Sequence, residues 1–211
     1  MRLLHYINES VIQEIDSVDD FNELMHKNCK PYLKLIQGKD HPLYRGMSSY
    51  HGWMGEKKVR QDRIPKGMGS YQAALLNTWL KSKGHVRRDK AVMASSSSHV
   101  RIHGDRYFIF PIGKFDYTWI RANDINIDDP LTGWYQGAVQ DAIEYGFDDM
   151  KDYKRLPKEF DEYFYTNKGF NIAYEEGYEI WMNPKSYYFA REGRFEWDRY
   201  AKEIISSERI N

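Results

Sequence analysis

The chain has 211 residues, enough for one sizeable domain and too few for two comfortable ones; 41% are hydrophobic and 16% aromatic, with 17 Tyr and 6 Trp, which suits a core and a cleft built from flat, polar-tipped side chains. Lys plus Arg and Asp plus Glu both number 31, so the formal net charge is zero, which disfavours a dedicated nucleic-acid binder without excluding a local basic patch. Cys29 is the only cysteine, which excludes a disulfide framework or a cysteine-built metal centre within one chain and leads us to expect a reducing, cytoplasmic setting.

Residues 8–37 read as helical. Ser17 followed by Asp20 resembles a capping box, Phe21, Leu24 and Met25 fall on one face, and Pro31 is expected to break or kink the stretch. Residues 38–69 are dense in glycine and proline (Gly38, Pro42, Gly46, Gly52, Gly55, Pro65, Gly67, Gly69) and read as loops around one short strand, Leu43–Arg45. Ser70 is placed to cap a helix carrying Ala73, Leu76, Trp79 and Leu80, which Gly84 ends. The period then changes, and 90–96, 106–111 and 115–120 read as strands. Residues 134–145 look helical. Residues 176–182 and 186–190 read as a second strand pair around Asn183-Pro184, and 194–207 as a C-terminal helix with Phe195, Tyr200 and Ile204 inward. Helices first and a mainly antiparallel strand set later give an α+β fold, read as one domain over 1–211 with a helical part at about 1–37 and a core at about 40–190. The first residues lack a long apolar run and nothing approaches the roughly 18–20 apolar residues needed to span a bilayer, so neither a signal peptide nor a membrane partner is expected.

Three segments carry chemistry. In Leu43-Tyr44-Arg45-Gly46 an arginine sits at a strand end beside a glycine that admits close approach to the backbone; the planar guanidinium suits a pyrophosphate, though alone the segment reads more readily as a surface arginine in a turn. In Val92-Met93-Ala94-Ser95-Ser96-Ser97-Ser98 an apolar strand enters a run of hydroxyls, able to orient polar neighbours or to serve as a plain turn. No GxSxG elbow accompanies it, which speaks against a serine hydrolase. In Gly177-Tyr178-Glu179-Ile180-Trp181-Met182-Asn183-Pro184, alternation sets Glu179 opposite Tyr178 and Ile180, facing either solvent or a cleft. The seven histidines show no metal-ligand spacing, and no metal is expected.

In that order the segments resemble the Arg–Ser–Glu class of the ADP-ribosyltransferase superfamily, with its aromatic-Arg-Gly strand, its Ser-Thr-Ser strand, and its Glu leading an apolar strand that ends in Pro. The matches are Tyr44-Arg45-Gly46, Ser95-Ser96-Ser97 and Glu179–Pro184, over roughly residues 40–190. The run Val59-Arg60-Gln61-Asp62-Arg63-Ile64-Pro65 is similar to one in phage-encoded relatives, which would place the protein in the cytoplasm of a host cell.

The resemblance implies a split antiparallel β-sandwich with N-terminal helices. It also implies NAD⁺ as substrate and mono-ADP-ribosyl transfer to a protein or nucleic-acid acceptor, with Arg45, Ser95 and Glu179 serving one cleft. Arg45 would hold the NAD⁺ phosphates or the nearby ribose, with Gly46, Ser96 and Ser97 beside it and Arg60 and Arg63 on the adenine side. Ser95 would hydrogen-bond to and position Glu179. Glu179 would accept from the ribose 2′-OH and stabilise an oxocarbenium-like transition state. Phe108, Phe115 and Tyr117 are candidates to stack on nicotinamide, or core residues. The aromatic stretch 163–178, with Tyr174, Glu176 and Gly177, would meet the acceptor. Arginine-modifying members carry Glu two positions before the catalytic Glu, where this chain has Gly177, so the expected acceptor is not a simple arginine. Alternatives are a nucleic-acid-directed transferase using Lys57, Lys58, Arg60, Arg63, Arg87 and Arg88, an NAD⁺ glycohydrolase, and a non-catalytic nucleotide-binding module.

Overall fold

The computed structural model describes residues 11–47, 52–61, 70–121 and 158–193. The chain divides into two compact units. The first draws on residues 1–60, 100–114 and 184–211, the second on 61–99 and 115–183.

The first unit is built on an antiparallel five-stranded sheet. Its strands are β1 (Val11–Glu14), β2 (Tyr44–Met47), β3 (Met54–Lys58), β5 (Asp105–Pro111) and β9 (Ser186–Arg191), in the order β1-β3-β9-β5-β2. Helices α1 (Val18–Asn28) and α2 (Lys30–Leu35) cover one face. Ser17 caps α1 by accepting from the Asp20 N–H at 3.3 Å, which satisfies one of the donors a helix start leaves open. Phe21 and Met25 then turn inward, with Phe21 edge-on to Phe110 and Tyr188 and Tyr32 edge-on to Phe110. The opposite face carries Arg45, Lys57, Tyr107, Tyr187 and Phe189, as the pairings Arg45↔Tyr107 and Lys57↔Tyr187 require.

The second unit holds α3 (Ser70–Ser82) and an antiparallel four-stranded sheet, β4-β8-β6-β7. Its strands are β4 (Val92–Ala94), β6 (Tyr117–Ile120), β7 (Phe164–Thr166) and β8 (Ile180–Met182). Register divides its side chains between two faces. Met93, Thr118, Phe164, Thr166 and Trp181 share one, where Trp79 of α3 meets Phe164 and Phe164 meets Trp181. Trp119, Tyr165 and Ile180 share the other, beside α4 (Phe170–Glu176), whose Phe170 meets Tyr117. The α+β class holds, with two antiparallel sheets and few helices among the described residues.

Four local readings change. Met54–Lys58, in the stretch read as loops around one short strand, is β3, held between β1 and β9. Residues 11–14 are a strand, not helix: Val11-Ile12 are β-branched, and β1 finds an open edge on β3. The helical stretch divides at Cys29, and Pro31 lies in the first turn of α2, where its missing N–H costs nothing. Residues 176–182 and 186–190 do not form a strand pair. Glu176 ends α4, β8 lies in the four-stranded sheet and β9 in the five-stranded one. The link Asn183-Pro184-Lys185 is not a hairpin turn: Asn183 N–H bonds to Asp116 O, while Val59 N–H bonds to Lys185 O. The expected helices at 134–145 and 194–207 lie outside the described residues. Among the described residues no helix is long and apolar enough to cross a membrane.

Candidate active site

Glu179 stands immediately before β8 and is 8% exposed. Its backbone is set from both directions. Gly177, at φ +70°, ends α4 by returning its N–H to the last-turn carbonyls, and Tyr178 N–H reaches Ala173 O at 2.9 Å. On the strand side, Ile120 N–H donates to Glu179 O at 3.2 Å. β4 pairs with β8 through Ala94↔Ile180, so Ser95 and Glu179 are next in register.

The serines serve the backbone. Ser95 Oγ donates to Gly177 O at 2.7 Å and accepts from Ser97 N–H at 3.0 Å, while Ser96 Oγ donates to Tyr174 O. These hydroxyls satisfy carbonyls that the end of α4 leaves open. Ser95 therefore does not bond the Glu179 carboxylate as the resemblance implied; it fixes the turn two residues upstream. The carboxylate is held instead by two residues outside the expected set. Trp181 Nε1–H donates to Oε1 at 2.8 Å, and Arg88 Nη2 stands 3.7 Å from the same oxygen. Glu179 Oε2 is buried and has no hydrogen-bond partner among the described residues. Alternation by two residues carries a legible signal for Trp181, on Glu179's own face. Arg88 had none, since a charged residue among Arg87, Arg88, Asp89 and Lys90 reads as surface.

The second unit thus brings together Ser95, Ser96, Ser97, Tyr174, Gly177 and Glu179. Gly177 is buried, and a Cβ there would meet Ser97 Cβ at 2.9 Å, so it is a packed turn rather than a freely moving loop. Glu176 is exposed at the end of α4. The stretch 163–178 is mostly regular structure rather than a loop. Phe164, Phe170 and Tyr174 are buried, and Trp119 is stacked on by Tyr165 at 4.2 Å and by Tyr178 at 5.7 Å. Tyr117 packs on Phe170, and Phe115 is half-buried. Nearby, His85 Nδ1 lies 2.7 Å from Thr166 Oγ1. Burial lowers its pKa from the ordinary 6.5, Asp161 raises it, and Lys83 and Lys168 lower it.

Arg45 and Gly46 belong to the first unit. Arg45 is half-buried on β2, its guanidinium carbon 5.9 Å from the Tyr187 ring centroid. The space above Gly46 is taken by protein: a Cβ there would lie 2.1 Å from Val100 O and 2.8 Å from His103 Cβ. Phe108 is core, tilted against Tyr44 at 5.0 Å. Arg60 is half-buried just past β3, and Arg63 lies outside the described residues. Of the cations assigned to a nucleic-acid patch, Lys57 is fully buried over the Phe189 ring, Arg88 is 2% exposed, and Arg87 is paired with Asp89. A polar cavity of about 750 Å³ in this unit is lined by Arg101, Asp105, Arg106, Arg191 and Glu192; Arg106 and Arg101 share Glu192 and Arg191 pairs with Asp105, so three arginines face two carboxylates. Among the described residues no group of three His, Cys, Asp or Glu is placed to hold a metal ion.

No family model, no curated protein and no solved structure matches the chain.

Proposed function

We propose that the chain is an NAD⁺-dependent mono-ADP-ribosyltransferase with Glu179 as its catalytic carboxylate. The observation that carries the reading is the state of that side chain. It is buried, tied through Oε1 and left with Oε2 unbonded, a configuration that is costly in a core unless the free oxygen has a task. The task is to accept the 2′-OH of the nicotinamide ribose. As the bond from ribose C1′ to nicotinamide nitrogen breaks, positive charge develops on the ribose, and a fixed carboxylate stabilises it without reorganising. The bonding pair leaves with nicotinamide, and an acceptor nucleophile then bonds to C1′ and loses its proton. Ser95 and Ser96 support the reading by clamping the turn that delivers Glu179.

The contact with Arg88 favours a second reading, in which Glu179 is the counter-charge of a buried arginine and the chain is a nucleotide-binding module without catalysis. One experiment separates the two. Wild type and E179Q are incubated with labelled NAD⁺ in a cell lysate, with and without nuclease and protease. Transfer predicts label on a macromolecule and a loss of about 10²–10³-fold in rate in E179Q. Equal labelling in both would overturn the assignment, and absence of label in both would favour the binding module.

A further inference from the structure

A guanidinium held at 2% exposure is expensive unless its charge is answered, and the Glu179 carboxylate stands beside that of Arg88. It lies in the turn Arg88–Lys90 directly before β4. That turn is anchored by Asp89 N–H on Asn77 Oδ1 at 3.1 Å, and the approach to it by Val86 N–H on Thr118 Oγ1 at 2.8 Å. The guanidinium carbon sits 5.8 Å from the Trp181 ring centroid. Both side chains address the same carboxylate oxygen. At 3.7 Å from Oε1, Arg88 Nη2 is too far for a hydrogen bond and acts through charge; at 2.8 Å the indole N–H acts through direction. A pair whose only purpose was neutralisation would gain most from a bidentate fork on both oxygens. Here both partners crowd Oε1, and Oε2 is left unbonded.

We infer that Arg88 and Trp181 are positioning residues for Glu179, tying Oε1 so that Oε2, closed to solvent in this structure, is the oxygen left to accept the substrate hydroxyl when NAD⁺ binding opens the site. This inference rests on the ADP-ribosyl transfer reading. Neither side chain touches substrate. Their effect therefore falls on turnover rather than on NAD⁺ binding, because misorienting a catalytic group is felt in the transition state.

The test measures NAD⁺ consumption by purified R88M, R88K, W181F and E179Q, with kcat expressed per folded molecule from circular dichroism. R88M should lower kcat about 10²-fold while KM for NAD⁺ stays within about twofold, R88K should regain about tenfold by restoring the cation, and W181F should lose about tenfold. A merely structural role would reduce the folded fraction and leave kcat per folded molecule unchanged. Should R88M not fold, R88K and W181F carry the test, and wild-type kcat in both overturns the inference. If E179Q is inactive while the Arg88 and Trp181 variants turn over normally, this inference alone falls. If E179Q consumes NAD⁺ like wild type, or wild type consumes none, the transfer reading falls and takes this inference with it.

Discussion

Glu179 and Arg88 stand in a balance that a single substitution upsets. Glutamine keeps the shape of Glu179 and its ability to accept from Trp181, but it leaves the Arg88 guanidinium without the charge beside it. Glu179→Gln should therefore cost about 1–3 kcal/mol of stability besides its effect on rate, measured by urea denaturation. An unchanged midpoint would mean that Arg88 is answered elsewhere. The order of Arg45, Ser95 and Glu179 in the sequence was enough to single out a carboxylate that the fold buries. It was not enough to name what holds it, because Arg88 looks solvated in any local window and becomes buried only when β4, β8 and α3 assemble around it. Gly177 bears on the acceptor in the same way. Its lack of a side chain removes the carboxylate that would hydrogen-bond and help deprotonate a guanidinium. The nearest substitute, Glu176, is exposed on the last turn of α4. Free arginine and agmatine are thus expected to be poor acceptors. Agmatine modified as fast as the lysate target, and lost in Glu176→Ala with NAD⁺ hydrolysis retained, would show that Glu176 fills the role.

Between α4 and β8 a helix must become a strand within three residues, and the turn is made by Gly177 at φ +70° with Ser97 pressed against it. Gly177→Ala places a Cβ in a left-handed conformation and 2.9 Å from Ser97 Cβ, so stability should fall by about 2–4 kcal/mol in denaturant titration. A variant as stable as wild type would show that the turn tolerates another backbone path. Elements with strong local signals were legible: Ser17 as a cap, Gly84 past the end of α3 at φ +74°, and the apolar runs of β5 and β6. β1 was not, because its four residues adjoin a true helix and take their pairing from β3, far along the chain. Nor was the parting of β8 from β9. Adjacent strands in sequence commonly pair, and nothing local reveals that each has a better partner in a different sheet.

The chain passes between its two units at 60–61, 99–100, 114–115 and 183–184, so neither unit is a continuous stretch of sequence. The five-stranded sheet closes only when strands from three stretches meet, and the chain between them belongs to the other unit. Closing a long loop costs entropy, and that cost falls when the intervening chain is already compact. The units should therefore unfold in one transition. Cys29 offers a probe of the first unit alone. It is the only cysteine, is fully buried where α1 meets α2, and lies 3.5 Å from Phe110 O through its sulfur. Burial, and secondarily the carboxylate of Glu56, push its pKa far above the ordinary thiol value, so the thiolate that reacts with electrophiles is scarce in the folded state. Native protein at pH 8 should react with a maleimide at least about 10³-fold more slowly than denatured protein, since labelling waits on opening. Trp79, Trp119 and Trp181, buried in the second unit, contribute to the fluorescence that reports its loss. Across a urea titration, the midpoint of Cys29 labelling should coincide with the midpoint of the fluorescence change. Labelling that precedes it by a clear margin would mean that the first unit opens by itself and that four chain crossings do not couple the two.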